Sequence, residues 1–128
     1  MKKVLIIEDE LLSALRLKQM ILDIDDTIDI QGPLTNVDEV IKYLRSVKGE
    51  YDIILMDVRM PKLDGMQATK IIRNSSHEEA KDIPIVAMTA DAFDEDIKRT
   101  MQAGMNEHLT KPIDIKVLIS TLISLLEK

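Results

Sequence analysis

The sequence predicts an α/β fold of the doubly wound class, a five-stranded parallel sheet covered by helices on both faces. Three observations lead there. Short Ile/Val/Leu-rich runs alternate with longer stretches of helical periodicity along all 128 residues, the pattern of five βα units in series. The short runs lack polar alternation, as strands buried on both faces do. Pro33, Pro61, Pro84 and Pro112 read as punctuation between elements.

Each element has its own signal. The run Val4–Ile7 precedes an amphipathic helix over Leu11–Ile24. The second run, Ile28–Leu34, is weak and interrupted by Asp29, Gln31 and Gly32. Asn36 is placed to cap a helix on which Val37, Val40, Ile41, Leu44 and Val47 recur at helical spacing, and Gly49 to stop it. Ile53–Met56 is the third run, and Asp64 is the cap expected for a helix over Gly65–Arg73. The stretch Asn74–Asp82 is the most polar loop. Ile83–Met88 follows, then a helix whose apolar face carries Phe93, Ile97 and Met101 with Ala90 and Gly104, ending at Gly104. His108–Thr110 is the fifth run, and Ile115–Leu126 the last helix. With no linker, repeat or low-complexity segment, residues 1–128 read as one domain.

Composition excludes several functions. Apolar residues make up 45 % and charged residues 31 %, enough to bury a core and too apolar for disorder. The net charge of −6 is shared by both halves, so there is no basic footprint for gripping nucleic acid unaided. No cysteine is present, which removes disulfides, zinc-thiolate sites and thiol nucleophiles. His77 and His108 are too few for a histidine-rich metal site. No apolar run reaches the ~18 residues of a membrane helix, and Met1-Lys2-Lys3 leads straight into a short strand-like run. The expectation is a cytoplasmic domain without membrane contact.

Ligands of open parallel sheets bind beyond the carboxyl ends of the strands, where strand order switches. The first run ends in Glu8-Asp9-Glu10, the third in Asp57, the fourth in Thr89 and the fifth in Lys111-Pro112. Any one of these could be ordinary loop or capping chemistry. Together they bring carboxylates, a hydroxyl and an ammonium to one edge. Converging carboxylates need a cation, and oxygen-only ligands suit a hard divalent ion such as Mg²⁺ (or Mn²⁺). Asp57, behind four apolar residues, can act as a nucleophile toward phosphorus. Thr89 and Lys111 could then hold the phosphoryl oxygens.

On these residues the chain resembles the receiver domains of two-component response regulators. Ile6-Ile7-Glu8-Asp9-Glu10, Met56-Asp57-Val58-Arg59-Met60-Pro61-Lys62-Leu63-Asp64-Gly65, Met88-Thr89-Ala90 and Ala103-Gly104-Met105 through Thr110-Lys111-Pro112 follow in the family's order. The resemblance implies a flavodoxin-like (βα)5 fold with strand order 2-1-3-4-5. It implies Asp57 as phosphoacceptor, and Glu8, Asp9, Asp57 and the backbone carbonyl of Arg59 as Mg²⁺ ligands. Thr89 and Lys111 would bind the phosphoryl group, and the Lys111–Pro112 bond would be cis. Arg59 and Asp91 match variable positions that influence phosphoryl lifetime. His108 stands where the family's switch aromatic is usually Tyr or Phe; as a residue it fits equally a switch partner of Thr89 or a solvent-facing loop histidine.

The implied function is a phosphorelay switch fed by a histidine kinase or a histidine phosphotransfer domain. It would phosphorylate and dephosphorylate itself without being a turnover enzyme. An aspartyl-phosphate phosphatase would need a second Asp where Arg59 stands, and a flavin or nucleotide domain would need a glycine-rich loop where Glu8-Asp9-Glu10 stands. A degenerate, unphosphorylated receiver would be expected to lack some of Glu8, Asp9, Asp57, Thr89 and Lys111. Residues 1–58 are most similar to receivers of LytTR-type regulators and 59–128 to those of hybrid histidine kinases, a mixture that fits one natural chain or a recombined one. On the last helix, Ile115, Leu118, Ile119, Leu122, Ile123, Leu125 and Leu126 spread over about 160°, wider than the ~100° stripe that rests on a sheet. The surplus suits either a helix set deep in its own core or an output face. In the family that face is helix 4, strand 5 and helix 5, used for an output domain, an effector or a homodimer.

Overall fold

The computed structural model describes residues 2–46, 52–60, 63–74, 83–89 and 94–126. In chain order these form β1 (Lys3–Ile7), α1 (Leu11–Ile24), β2 (Asp29–Leu34), α2 (Val37–Ser46), β3 (Ile53–Asp57), β4 (Arg59–Met60), β5 (Leu63–Asp64), α3 (Gly65–Arg73), β6 (Ile85–Thr89), α4 (Asp94–Ala103), β7 (Glu107–Thr110) and α5 (Ile115–Leu126). Five strands make one sheet in the order β2-β1-β3-β6-β7, and each adjacent pair is parallel. Counting only these strands gives 2-1-3-4-5, the doubly wound order that the resemblance implies.

Successive strand residues point to opposite faces, so each run feeds two cores. Leu5, Ile7, Ile54, Met56, Ile85 and Ala87 pack on one face with Val40 of α2 and Ala68 and Ile72 of α3. Val4, Ile6, Ile53, Leu55, Val86, Met88 and Leu109 pack on the other with Ala14, Leu17 and Ile21 of α1 and Leu118 and Leu122 of α5. Every residue of β3 and β6 is buried, which is why those runs show no polar alternation.

The helix ends follow their residues. The Asn36 side-chain oxygen accepts the Glu39 N–H at 2.9 Å, an N-cap for α2. Gly104, at φ 107°, closes α4. Its N–H bonds to the Met101 carbonyl at 3.1 Å and that of Met105 to the Thr100 carbonyl at 3.0 Å, the paired bonds of a Schellman turn. Arg73 lies across this turn: Nε and Nη2 donate to the Gly104 carbonyl at 3.1 and 2.8 Å, and Nη2 also to Asn106 Oδ1 at 2.8 Å. Asn106 Oδ1 in turn accepts the Ile85 N–H at 3.0 Å, tying the ends of α3 and α4 to the start of β6.

Two expectations, at Pro33 and at Met101, need correction, and two further features stand beside them. Pro33 lies inside β2, not between elements. β2 is an edge strand, where a missing N–H costs no ladder bond, and an extra residue is accommodated between the Leu5 and Ile7 pairings. Gly32 permits this with φ 99°. The antiparallel ribbon β4–β5 was not expected, because two-residue strands have no periodicity to read. Met101 is 51 % exposed, and Thr100 and Ala103 are the buried residues of that turn of α4. On α5, Ile115 and Ile123 are 43 % and 49 % exposed, so the helix is not set wholly into its own core. The expected features at Val47, Gly49, Pro61, 75–82, Ala90, Asp91 and Phe93 lie outside the described residues.

Candidate functional site

β1 and β3 are central neighbours whose registers align Ile7 with Met56, so the residues that follow, Glu8 and Asp57, emerge side by side. β6 aligns Met88 with Asp57, and β7 aligns Thr110 with Thr89. Four adjacent strand ends therefore deliver Glu8, Asp57, Thr89 and Lys111 to the carboxyl edge. The connection on either side of β1 and β3 runs in opposite directions, which is the switch point of the sheet.

Glu8 and Asp57 are both buried although both are acids. One oxygen each from Glu8, Asp9 and Asp57 lies within 4.8 Å of the others. Lys111 Nζ lies 3.0 Å from Glu8 Oε1 and 3.4 Å from Asp57 Oδ2. Among the described residues, this ammonium stands against the carboxylates of both Glu8 and Asp57. Burial, reinforced by Asp57 and opposed by Lys111, pushes the Glu8 carboxyl up from 4.5 to about 8. Burial pulls the Lys111 ammonium down, but its hydrogen bond to Glu8 and the charges of Asp57 and Glu8 outweigh that and hold it above its ordinary value. Glu8 Oε2 is buried and has no hydrogen-bond partner. A buried, unbonded carboxylate oxygen beside two further carboxylates fits a hard divalent cation such as Mg²⁺.

Thr89 is buried at the end of β6, and its carbonyl accepts the Lys111 N–H at 2.7 Å. The Val58 N–H, next to Asp57, bonds to the Met88 carbonyl at 3.0 Å. His108 is a strand residue, partly buried on β7 opposite Ala87. The registers Ala87 with His108 and Thr89 with Thr110 place His108 on the same side of the sheet as Thr89. Arg59 begins β4 two residues beyond Asp57. The Lys111–Pro112 peptide bond is cis. Asp91 lies outside the described residues.

Sequence reasoning placed Glu8 among the converging acids and the expected metal ligands, and missed it as the partner of Lys111. The available signal was that Glu8, like Asp57, follows four consecutive apolar residues and so had to be carried into the interior.

The family model of the response regulator receiver domain matches residues 4–123. Histidine kinase 1 of Arabidopsis thaliana is 51 % identical over 75 residues, covering 59 % of this chain and 6 % of that protein. Probable histidine kinase 1 of Oryza sativa subsp. indica is 32 % identical over 143 residues, covering 89 % and 14 %. The chain thus spans a small part of the length of the curated relatives it matches. Among solved structures, the receiver domain of a sensor histidine kinase from Pseudomonas aeruginosa PAO1 superposes with a TM-score of 0.83 at 28 % identity, over 99 % of this chain and 98 % of that one. That structure holds a magnesium ion in its active-site cleft. Among the described residues no helix is long and apolar enough to cross a membrane. The chain belongs to the response regulator receiver domain family.

Proposed function

We propose that this receiver domain is a phosphorelay switch in which Asp57 takes a phosphoryl group from a phosphohistidine on a histidine kinase or a histidine phosphotransfer domain. The observation that carries the reading is the cluster itself: Asp57 buried beside Glu8 and Asp9, with Lys111 Nζ 3.4 Å from its Oδ2. An Asp57 carboxylate oxygen attacks phosphorus, the P–N bond of the donor breaks, and the imidazole leaves with the bonding pair and takes up a proton. Mg²⁺ (or Mn²⁺), held by Glu8, Asp9, Asp57 and the backbone carbonyl of Arg59, would supply positive charge to the phosphoryl oxygens. Lys111 moves from its acidic partners onto a phosphoryl oxygen, and the Thr89 hydroxyl donates to another.

Phosphorylation then biases a two-state equilibrium. Thr89 moves toward the phosphoryl group and His108, on the same side of the sheet, follows into the space it leaves. Water later attacks phosphorus, the P–O bond to Asp57 breaks with the electron pair returning to the carboxylate, and inorganic phosphate leaves, so the domain resets itself without being a turnover enzyme. The face of α4, β7 and α5 carries the output to an output domain, an effector or a second copy; exposed Met101, Ile115 and Ile123 supply apolar contact there. The setting is the cytoplasm.

The test is intact mass after incubation with acetyl phosphate, with Mg²⁺ and with EDTA. One phosphoryl group is expected to be gained with Mg²⁺ only, and none by Asp57→Asn. Equal labelling of Asp57→Asn would remove the assignment.

A further inference from the structure

Between α1 and the turn from β7 into α5 lies a cavity of about 430 Å³, within the range that holds small organic molecules. Its apolar wall is formed by Leu17 and Met20 of α1, Met88 at the end of β6, and Ile113 beyond the Lys111–Pro112 bond. Two unbranched methionine side chains let such a wall adapt to its occupant.

Two cations line the same cavity, and they differ in their engagements. Lys111 is held by Glu8 and Asp57. Arg16 is exposed and has no hydrogen bond or ion pair with another described residue. A planar guanidinium with its donors unclaimed, at the rim of an apolar cavity, is complementary to an apolar body carrying one anionic group.

The cavity also shares structure with the phosphorylation site. Glu8 and Lys111 belong to both. The Lys111 N–H is bonded to the Thr89 carbonyl at 2.7 Å, one residue beyond Met88. A shift of Thr89 or Lys111 therefore moves two parts of the cavity wall together.

We propose that this cavity is a binding site for a small amphipathic anion, its apolar body against Leu17, Met20, Met88 and Ile113 and its charge on Arg16, and that occupancy is linked to phosphorylation of Asp57. The linkage rests on the phosphorelay reading; the site itself does not. Linkage is reciprocal, so a ligand that binds one state better also shifts phosphorylation by the same factor.

The probe is 1-anilinonaphthalene-8-sulfonate, an apolar ring system with one sulfonate, titrated into the whole chain and followed by ¹H–¹⁵N chemical shifts. Saturable one-to-one binding is expected, with shifts concentrated at Ser13, Arg16, Leu17, Met20, Met88, Lys111 and Ile113. Arg16→Glu is expected to weaken binding about tenfold or more and Arg16→Lys to keep most of it, since a charge-assisted bond is lost in the first and a point charge kept in the second. The neutral N-phenyl-1-naphthylamine is expected to bind about tenfold more weakly than the sulfonate. Absence of saturation, equal binding by Arg16→Glu, or shifts centred on exposed Leu11, Leu12 and Leu15 would overturn the site. Adding beryllofluoride with Mg²⁺ is expected to change the dissociation constant about fivefold or more, at the low end of allosteric couplings. An unchanged constant overturns the linkage, and absence of acetyl phosphate labelling of the wild type overturns the phosphorelay reading beneath it. Neither result alters the binding measurement.

Discussion

Raising the pH without divalent cations is expected to destabilise the fold through Glu8. In the unfolded chain this carboxyl ionises at its ordinary 4.5, whereas in the folded protein burial and Asp57 hold it protonated to about 8. Between those values the native state binds one more proton than the unfolded state, so stability must fall as pH rises and is fully present only below 4.5. A tenfold change in proton affinity is worth ~1.4 kcal/mol, which sets a ceiling of about 5 kcal/mol on the loss. Relaxation around the ionised group reduces it, and about 2 kcal/mol is a realistic expectation. The assay is urea unfolding in EDTA at half-unit steps from pH 5 to 8.5. Glu8→Gln, which still accepts the Lys111 bond, is expected to lose the slope. Mg²⁺ at millimolar concentration is expected to oppose the loss, because a ligand that binds the ionised carboxylates stabilises the folded state increasingly as they ionise. A wild-type curve that is flat over this range, or a slope that persists in Glu8→Gln, would refute the reasoning.

Other consequences follow from single positions. Gly104→Ala forces a Cβ onto a residue at φ 107°, 3.2 Å from Arg73 Cγ; a loss of about 1–2 kcal/mol is expected in thermal or urea unfolding. Gly32→Ala should cost more, above about 2 kcal/mol, because its Cβ would lie 2.4 Å from the Ile6 carbonyl oxygen, a backbone atom that cannot swing away. Equal stability of these two variants would contradict the difference in what they meet. Lys111→Ala is expected to accept a phosphoryl group from acetyl phosphate yet to lose the beryllofluoride-induced shifts at Thr89 and His108 seen by NMR.

The sheet and helices were legible because burial on both faces writes itself as uninterrupted apolar runs. α1, α3 and α5 occupy the ranges expected from their residue patterns. Local signals failed where tertiary position decides the outcome. Pro33 reads as a break, and only its place on the sheet edge makes it a strand residue. Met101 reads as core because it is large and apolar, while the smaller Thr100 and Ala103 fit the tighter contact under α4. The acids, the hydroxyl and the lysine could be located because each ends an apolar run. Their pairing could not, since it depends on the register between β1 and β3 and on how far Lys111 reaches across two strands.

The Arg73 bridge gives α4 an unequal mounting. Its carboxyl end is fastened through Gly104 and Asn106 to α3 and β6. The helix of 10 residues is ~15 Å long at 1.5 Å per residue. Because its carboxyl end is held, a displacement of about 2 Å at the other would tilt the axis by roughly 8°, from the same rise per residue. Positions along the helix would then be displaced unequally, least near Ala103 and most near Asp94.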